Sequence, residues 1–211
     1  MMSRSQAHIR YKNAQGLIVP GVTTVLGLLA KPQLIIWANR LGLEGIDSSK
    51  YRDDKGDIGS AAHRMILAHL RGETADLTDF TPEQIDKAEN CFLSYLTWEK
   101  GKVIEPILVE DPLVSETFQF GGTLDFYGTV DGELTLCDYK TGGIYPEAYY
   151  QLCAYRQLLE GSGQAAPVKG IILGIPRAET EAFQEATYTA FDQGWQIFFH
   201  LLQVYRLRKE G

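Results

Sequence analysis

Cysteine is scarce in this chain, and the three it has, Cys91, Cys137 and Cys153, lie far apart. No Cys-x-x-Cys pair occurs, which excludes a zinc knuckle, and three thiols cannot supply all four ligands of a Cys₄ iron–sulfur cluster. An odd, scattered set reads as reduced, buried thiols of a cytosolic protein. Long hydrophobic runs are missing as well: none approaches the roughly 20 residues needed to span a bilayer. The opening MMSRSQAHIRYKN lacks the apolar core of a signal peptide. There is no internal repeat, low-complexity tract or long linker. Positive charge is in deficit, with a formal net charge of −7. That argues against a broad, non-specific nucleic-acid coat. It leaves room for a site built of carboxylates, whose field a bound cation reverses. Basic residues gather only locally, at Arg4, Arg10 and Lys12 and in Arg206-Leu207-Arg208-Lys209, and both clusters read as solvated surface.

What is present is ordinary globular material. A chain of 211 residues with 45% apolar and 22% charged side chains is enough for one domain with a real core. Residues 8–11 and 16–19 pair as a small hairpin. Thr23 or Thr24 opens an apolar helix to about Ala30, and Pro32 opens another through Trp37 and Leu41. Residues 46–56 are polar and read as a loop. Residues 57–71 place Ile58, Ala61, Ala62, Met65, Ile66 and His69 on one helical stripe. Thr81-Pro82-Glu83 caps a helix to about Lys100. Strands are predicted at 103–109, 113–120, 122–130 and 133–140, then a helix from Tyr145 to Glu160. The apolar run from Val168 to Pro176 suits a buried strand. A last strand at 183–189 precedes an amphipathic helix from Phe191 to Lys209. The order is that of a mixed α/β sheet with helices on its faces.

The most informative stretch runs from Gly121 to Lys140, GGTLDFYGTVDGELTLCDYK. Val130-Asp131-Gly132-Glu133 is a hairpin turn signal, and folding there brings Asp125 toward Asp138. Leu124 and Phe126 should point to the face opposite Asp125. Two converging carboxylates suit a hard divalent cation. Lys140 is two residues from Asp138, so both side chains face one side of the strand. A cation with an ammonium beside it suits phosphodiester hydrolysis, where negative charge builds up in the transition state.

Other residues are open to two readings. His69, in the middle of the apolar stripe, reads as a core histidine. His63, at its flank among small residues, is either a metal ligand or a boundary histidine. Gln151 and Tyr155 share one helix face, and either position a phosphate or simply belong to a helix of mixed polarity. Glu116, in the strand before Asp125, is a third carboxylate or a surface residue. Trp37, Tyr145, Tyr149 and Tyr150 either stack on bases or pack in the core.

Taken together, these residues resemble the RecB-like and lambda-exonuclease-like branch of the PD-(D/E)xK nuclease superfamily, in its small phage-type form. Ile58-Gly59-Ser60-Ala61-Ala62-His63 is similar to the family's Gly-(Ser/Thr)-x-x-His element. Gly122-Thr123-Leu124-Asp125 is similar to its Gly-x-x-Asp. Asp138-Tyr139-Lys140-Thr141-Gly142 resembles Asp-x-Lys-Thr, and Gln151-Leu152-Cys153-Ala154-Tyr155 resembles Gln-x-x-x-Tyr. Val22-Thr23-Thr24-Val25, Lys31-Pro32 and Trp37-Ala38 look like small phage and mitochondrial members. The resemblance covers most of residues 20–190.

The resemblance implies a restriction-endonuclease-like α-β-β-β-α-β core, a mixed sheet flanked by helices, with an N-terminal helical extension. A single nuclease domain then spans 1–211: a hairpin and helices over 1–56, the catalytic core over 57–190 and a C-terminal helix over 191–211. It implies one or two Mg²⁺ or Mn²⁺ ions held by His63, Asp125, Asp138 and the Tyr139 backbone carbonyl, and no iron–sulfur cluster. Lys140 would orient or deprotonate the attacking water and stabilise charge, and Glu116 would complete the acidic site. Gln151 and Tyr155 would support the site or contact DNA. The expected activity is a metal-dependent DNA exonuclease acting on linear or single-stranded ends in recombination or repair. The alternatives are a structure-specific or flap endonuclease of the same fold and a catalytically inert nucleic-acid-binding module. No Walker A loop or helicase motor occurs, so unwinding or strand annealing would fall to a partner protein. The expected location is the cytoplasm of a bacterial or phage-infected cell, with no membrane partner.

Overall fold

The computed structural model describes residues 10–178 and 180–210. Arg4 and residues 8 and 9 of the predicted hairpin lie outside the described residues. The rest of that hairpin forms: Lys12 bridges Ile18, and the Val19 N–H donates to the Tyr11 carbonyl at 3.0 Å. The elements that follow are α1 (Val22–Leu26), α2 (Pro32–Leu43), α3 (Ser48–Arg71), α4 (Pro82–Glu99), β1 (Ile104–Ser115), β2 (Phe120–Val130) and β3 (Glu133–Thr141). After them come α5 (Pro146–Gly161), β4 (Lys169–Ile175), β5 (Gln184–Tyr188) and α6 (Asp192–Glu210). The five strands form one mixed sheet in the order β1-β2-β3-β4-β5. Only β3 and β4 run parallel, with α5 as the crossover between them. The predicted α-β-β-β-α-β order is therefore present, from α4 through β4. Among the described residues no helix is long and apolar enough to cross a membrane.

Each face of the sheet buries its own core. Ile58, Ile66 and Tyr95 of α3 and α4 pack on Phe126, Tyr139 and Leu173. Val25, Leu152 and Phe198 of α1, α5 and α6 pack on Leu124, Leu136 and Ile172. Each such aliphatic or aromatic side chain contributes about 1.5–3 kcal/mol relative to exposure. β4 is buried at six consecutive positions, Gly170–Ile175, as a central strand covered on both faces must be.

Two local readings are corrected. Residues 46–56 are not a loop: α3 begins at Ser48, so its first ten residues are a polar helix. Asp47 caps it by accepting from the Ser49 and Lys50 N–H groups at 2.9 and 3.1 Å. Caps and intrahelical bonds suffice there without an apolar stripe, because most of those residues stay exposed and none is buried. The strands at 103–109 and 113–120 are one strand, β1, ending at Ser115. It carries an irregularity between Pro106 and Leu108, and Glu110 has a positive φ of 56°. These distortions interrupt the apolar alternation without ending the pairing.

Candidate active site

The site forms where β2 and β3 part. Their ladder runs from Val130 opposite Glu133 to Phe126 opposite Cys137 and stops there. Asp131 and Gly132, both at positive φ (53° and 80°), make the two-residue turn that fixes this register. One step further, the register sets Asp125 against Asp138. Alternation fails at that step. Phe126 packs in the α3/α4 core, whereas Leu124 packs in the α1/α5/α6 core. The expectation that both flanks share one face is thus corrected, because β2 turns as it leaves the ladder.

That turn lets the Asp125 carboxylate replace a strand. Its Oδ2 accepts the Tyr139 backbone N–H at 2.7 Å. Its Oδ1 faces His63 Nδ1 at 3.8 Å, and His63 Nε2 touches the Tyr139 carbonyl oxygen. The helix carrying His63 comes this close because Gly59, one turn earlier, has no side chain. A Cβ there would sit 2.6 Å from the Thr141 hydroxyl.

On the other face of β3, the Asp138 side chain is fully buried. Lys140 Nζ donates to Asp138 Oδ1 at 2.8 Å and to Gln151 Oε1 at 3.1 Å. It also lies 2.7 Å from Asp138 Oδ2, but outside hydrogen-bonding angles, so that buried oxygen has no hydrogen-bond partner. Burial pushes the Asp138 carboxyl above its ordinary range; Lys140 opposes the shift and Asp125 adds to it. Burial alone would lower the Lys140 ammonium, but Asp138 and Asp125 outweigh it and hold it above its ordinary value. The chain of contacts continues from Gln151 Nε2 to the Tyr155 hydroxyl at 2.6 Å. Tyr155 reaches this position across Gly122, where a Cβ would meet its ring at 2.6 Å.

The structure therefore brings together His63, Asp125, Asp138, the Tyr139 backbone, Lys140, Gln151 and Tyr155. It does not bring Glu116 with them. Glu116 lies in the turn after β1, exposed, and its carboxylate accepts the Ala14 N–H at 2.8 Å. The acidic residue that β1 sets against Asp125 is Glu110, between Val109 opposite Phe126 and Asp111 opposite Leu124. Its side chain pairs with Arg71 at 3.3 Å. The polar Glu110-Asp111-Pro112 interruption in an apolar segment was the only sequence signal for it. His69 is also corrected: it is exposed and bonds Glu99 at 2.7 Å, joining α3 to α4 at the surface. Tyr149 is committed to packing, stacked 4.6 Å from Tyr188 with its hydroxyl on the Ala190 carbonyl. Trp37 sits edge-on to Tyr51, and Tyr145 is 69% exposed.

Among the described residues, no three His, Cys, Asp or Glu side chains form a ready cation cage. The fit of a metal rests instead on donor chemistry. Two carboxylates, a peptide carbonyl and an imidazole are the kinds of ligand that Mg²⁺ and, with the nitrogen, Mn²⁺ accept. Asp138 Oδ2 is in ion-pair contact with Lys140 Nζ at 2.7 Å but carries no hydrogen bond, so it keeps acceptor capacity that such a cation would use. In kind, the residues fit.

No protein-family model matches the chain, and no curated protein does either. Among solved structures it overlaps an exonuclease candidate from Eubacterium rectale, at 10% identity and a TM-score of 0.47 over 72% of this chain. It spans 65% of that protein's length. An alkaline exonuclease from Laribacter hongkongensis overlaps at 13% identity and a TM-score of 0.33, over 74% of this chain and 90% of that one. The same exonuclease bound to dAMP overlaps at 13% identity and a TM-score of 0.39, over 71% and 77% of the two chains.

Proposed function

We propose that this chain is a nuclease domain that hydrolyses phosphodiester bonds of DNA with Mg²⁺ or Mn²⁺, as an exonuclease working from strand ends in recombination or repair. The observation that carries the proposal is the meeting of two clusters at one end of β3. Asp138, Lys140 and Gln151 are hydrogen-bonded on one side, and Asp125, His63 and the Tyr139 backbone on the other. A bound divalent cation would supply an acidified water and would offset phosphate charge. His63, Asp125, Asp138 and the Tyr139 carbonyl are the residues that would hold it.

The remaining chemistry belongs to the chain. An ammonium has three N–H donors, and Lys140 gives one to Asp138 and one to Gln151. The third is free for the attacking water or a non-bridging phosphate oxygen, where charge grows in the transition state. Tyr155 fixes the Gln151 amide, and Gln151 fixes the ammonium, so no reorganisation is needed as the charge appears. A binding module has no use for a buried carboxylate locked to a lysine beside a second carboxylate. That supports a catalytic reading over an inert one.

The test uses end-labelled linear DNA and a covalently closed single-stranded circle with Mn²⁺ or Mg²⁺. Metal-dependent loss of the linear substrate with the circle intact is expected. Cutting of the circle would make the protein an endonuclease. No metal-dependent cleavage, or full activity in Lys140→Ala, would end the nuclease reading.

A further inference from the structure

Beside the site lies a cavity of about 270 Å³ between the end of α1 and the start of α5. Lys140 and Gln151 form the wall it shares with the site. Leu26, Ala148 and the ring of Tyr145 make much of the remaining lining apolar. Tyr145 is 69% exposed, and its ring tip stands 3.7 Å from where a side chain on Gly143 would begin. No other aromatic ring packs against it among the described residues.

The charges of the cavity cancel locally. Lys31 projects into it but is paired with Glu147, 3.1 Å away, and Glu147 lines the same wall. Lys140 is paired with Asp138 in turn. A second phosphate entering here would meet the Glu147 carboxylate, and to gain Lys31 it would have to break the Lys31–Glu147 pair, since the one free N–H of Lys140 serves the phosphate being cut. An uncharged heterocycle would meet the Tyr145 ring, two aliphatic side chains and a few polar groups at the rim, including Thr23. That is the usual make-up of a small-molecule pocket. Its volume of about 270 Å³ is on the scale of one base with its sugar rather than of a base pair.

We propose that this cavity holds the base and sugar of one unpaired nucleotide next to the bond that is cut, with Tyr145 as its stacking platform. This rests on the nuclease reading, and it names the substrate class: a strand whose end is unpaired. It also makes the end group of the strand irrelevant, since Lys31 is already paired with Glu147 and the free donor of Lys140 serves the phosphate that is cut, which leaves no cation for a terminal phosphate.

The experiment measures binding in EDTA by anisotropy and cleavage in Mn²⁺, using labelled single-stranded 12-mers. One series carries an abasic residue at either end, another a terminal phosphate, and a third is the blunt duplex. Removing the terminal base at one end should weaken binding about tenfold, the scale of one base–aromatic stack. In Tyr145→Ala, which exposes no core, intact and abasic strands should bind alike. Gly143→Leu, which fills the cavity from a second position, should do the same. Terminal phosphate should change binding less than twofold, and the blunt duplex should bind at least tenfold more weakly than the single strand. An abasic penalty that persists in both variants, a tenfold gain from terminal phosphate, or equal binding of the blunt duplex would each overturn the pocket assignment. Absence of any cleavage in Mn²⁺ would instead strike the nuclease reading, and the anisotropy series would still decide the pocket.

Discussion

The carboxylate of Asp125 accepts the backbone N–H of Tyr139 at 2.7 Å, at the place where the β2–β3 ladder has ended. A side chain thus does the work of a strand. One oxygen of Asp125 holds the splayed backbone, and the other is left facing His63. The same residue braces the fold and points into the site, so its loss has two consequences that separate measurements can resolve.

Metal binding is testable without turnover. Mn²⁺ at about 100 times its Kd should stabilise the wild-type fold by about 2.7 kcal/mol, or roughly 5–10 °C in Tm for a chain this size. Asp138→Asn keeps the shape of the side chain but removes its negative charge, and its Mn²⁺-induced shift should vanish. A thermal melt with and without metal checks this; an undiminished shift in Asp138→Asn would remove that residue from the ligand set.

Lys140 is expected to act mainly in the transition state. Lys140→Ala should lower kcat about 10²–10³-fold with little change in KM, the usual cost of one charge-stabilising donor. Lys140→Arg should not rescue, because a planar guanidinium cannot sit on both Asp138 and Gln151 as an ammonium does. Steady-state kinetics on a single-stranded oligonucleotide read both effects.

Gly59 sets the distance between α3 and β3. Gly59→Ala puts a methyl 2.6 Å from the Thr141 hydroxyl, and forced repacking of this kind costs about 1–3 kcal/mol. Removing that hydroxyl in Gly59→Ala/Thr141→Ala should recover part of the loss, since contacting residues are not additive. Urea denaturation of the two single variants and the double variant gives the coupling. Purely additive losses would show that α3 is not held off by this contact.

The three thiols should be inert in the folded protein. Burial pushes Cys91 and Cys153 up to about 11 and Cys137 higher still. Because the thiolate is the reactive form, about one molecule in a thousand is reactive at pH 8 for a group at that value, and reactivity climbs as pH rises toward it. A chromogenic disulfide reagent should therefore react slowly at pH 8 and quickly with all three thiols in urea. Fast reaction without denaturant would contradict the burial of at least one of them.

Local signals in the chain and long-range packing set different parts of the fold. β4 and the capped α4 were legible, since an apolar run and a Thr81/Gln84 capping box are local signals. The start of α3 was not, because a polar helix stabilised by its cap carries no hydrophobic period. Glu116 was misplaced because β1 distorts at Glu110, and two short strands and one bent strand share the same apolar pattern. His69 looked like a core residue because its position falls on the apolar stripe of α3, but its side chain is exposed and meets Glu99.

By itself the sequence determined the hairpin. Asp131-Gly132 dictates a two-residue turn, the turn dictates the register, and the register places Asp125 one step beyond the ladder and across from Asp138. It also determined that Asp138 and Lys140 share a side of β3, because strands alternate with period two. Only the tertiary structure decided that Tyr139 offers its backbone to Asp125 and His63, that Gln151 and Tyr155 hold Lys140, and that a charge-cancelled cavity opens beside them. Those relations depend on where α3 and α5 cross the sheet, and a crossing is set by the packing of residues distant in the chain, which no local period records.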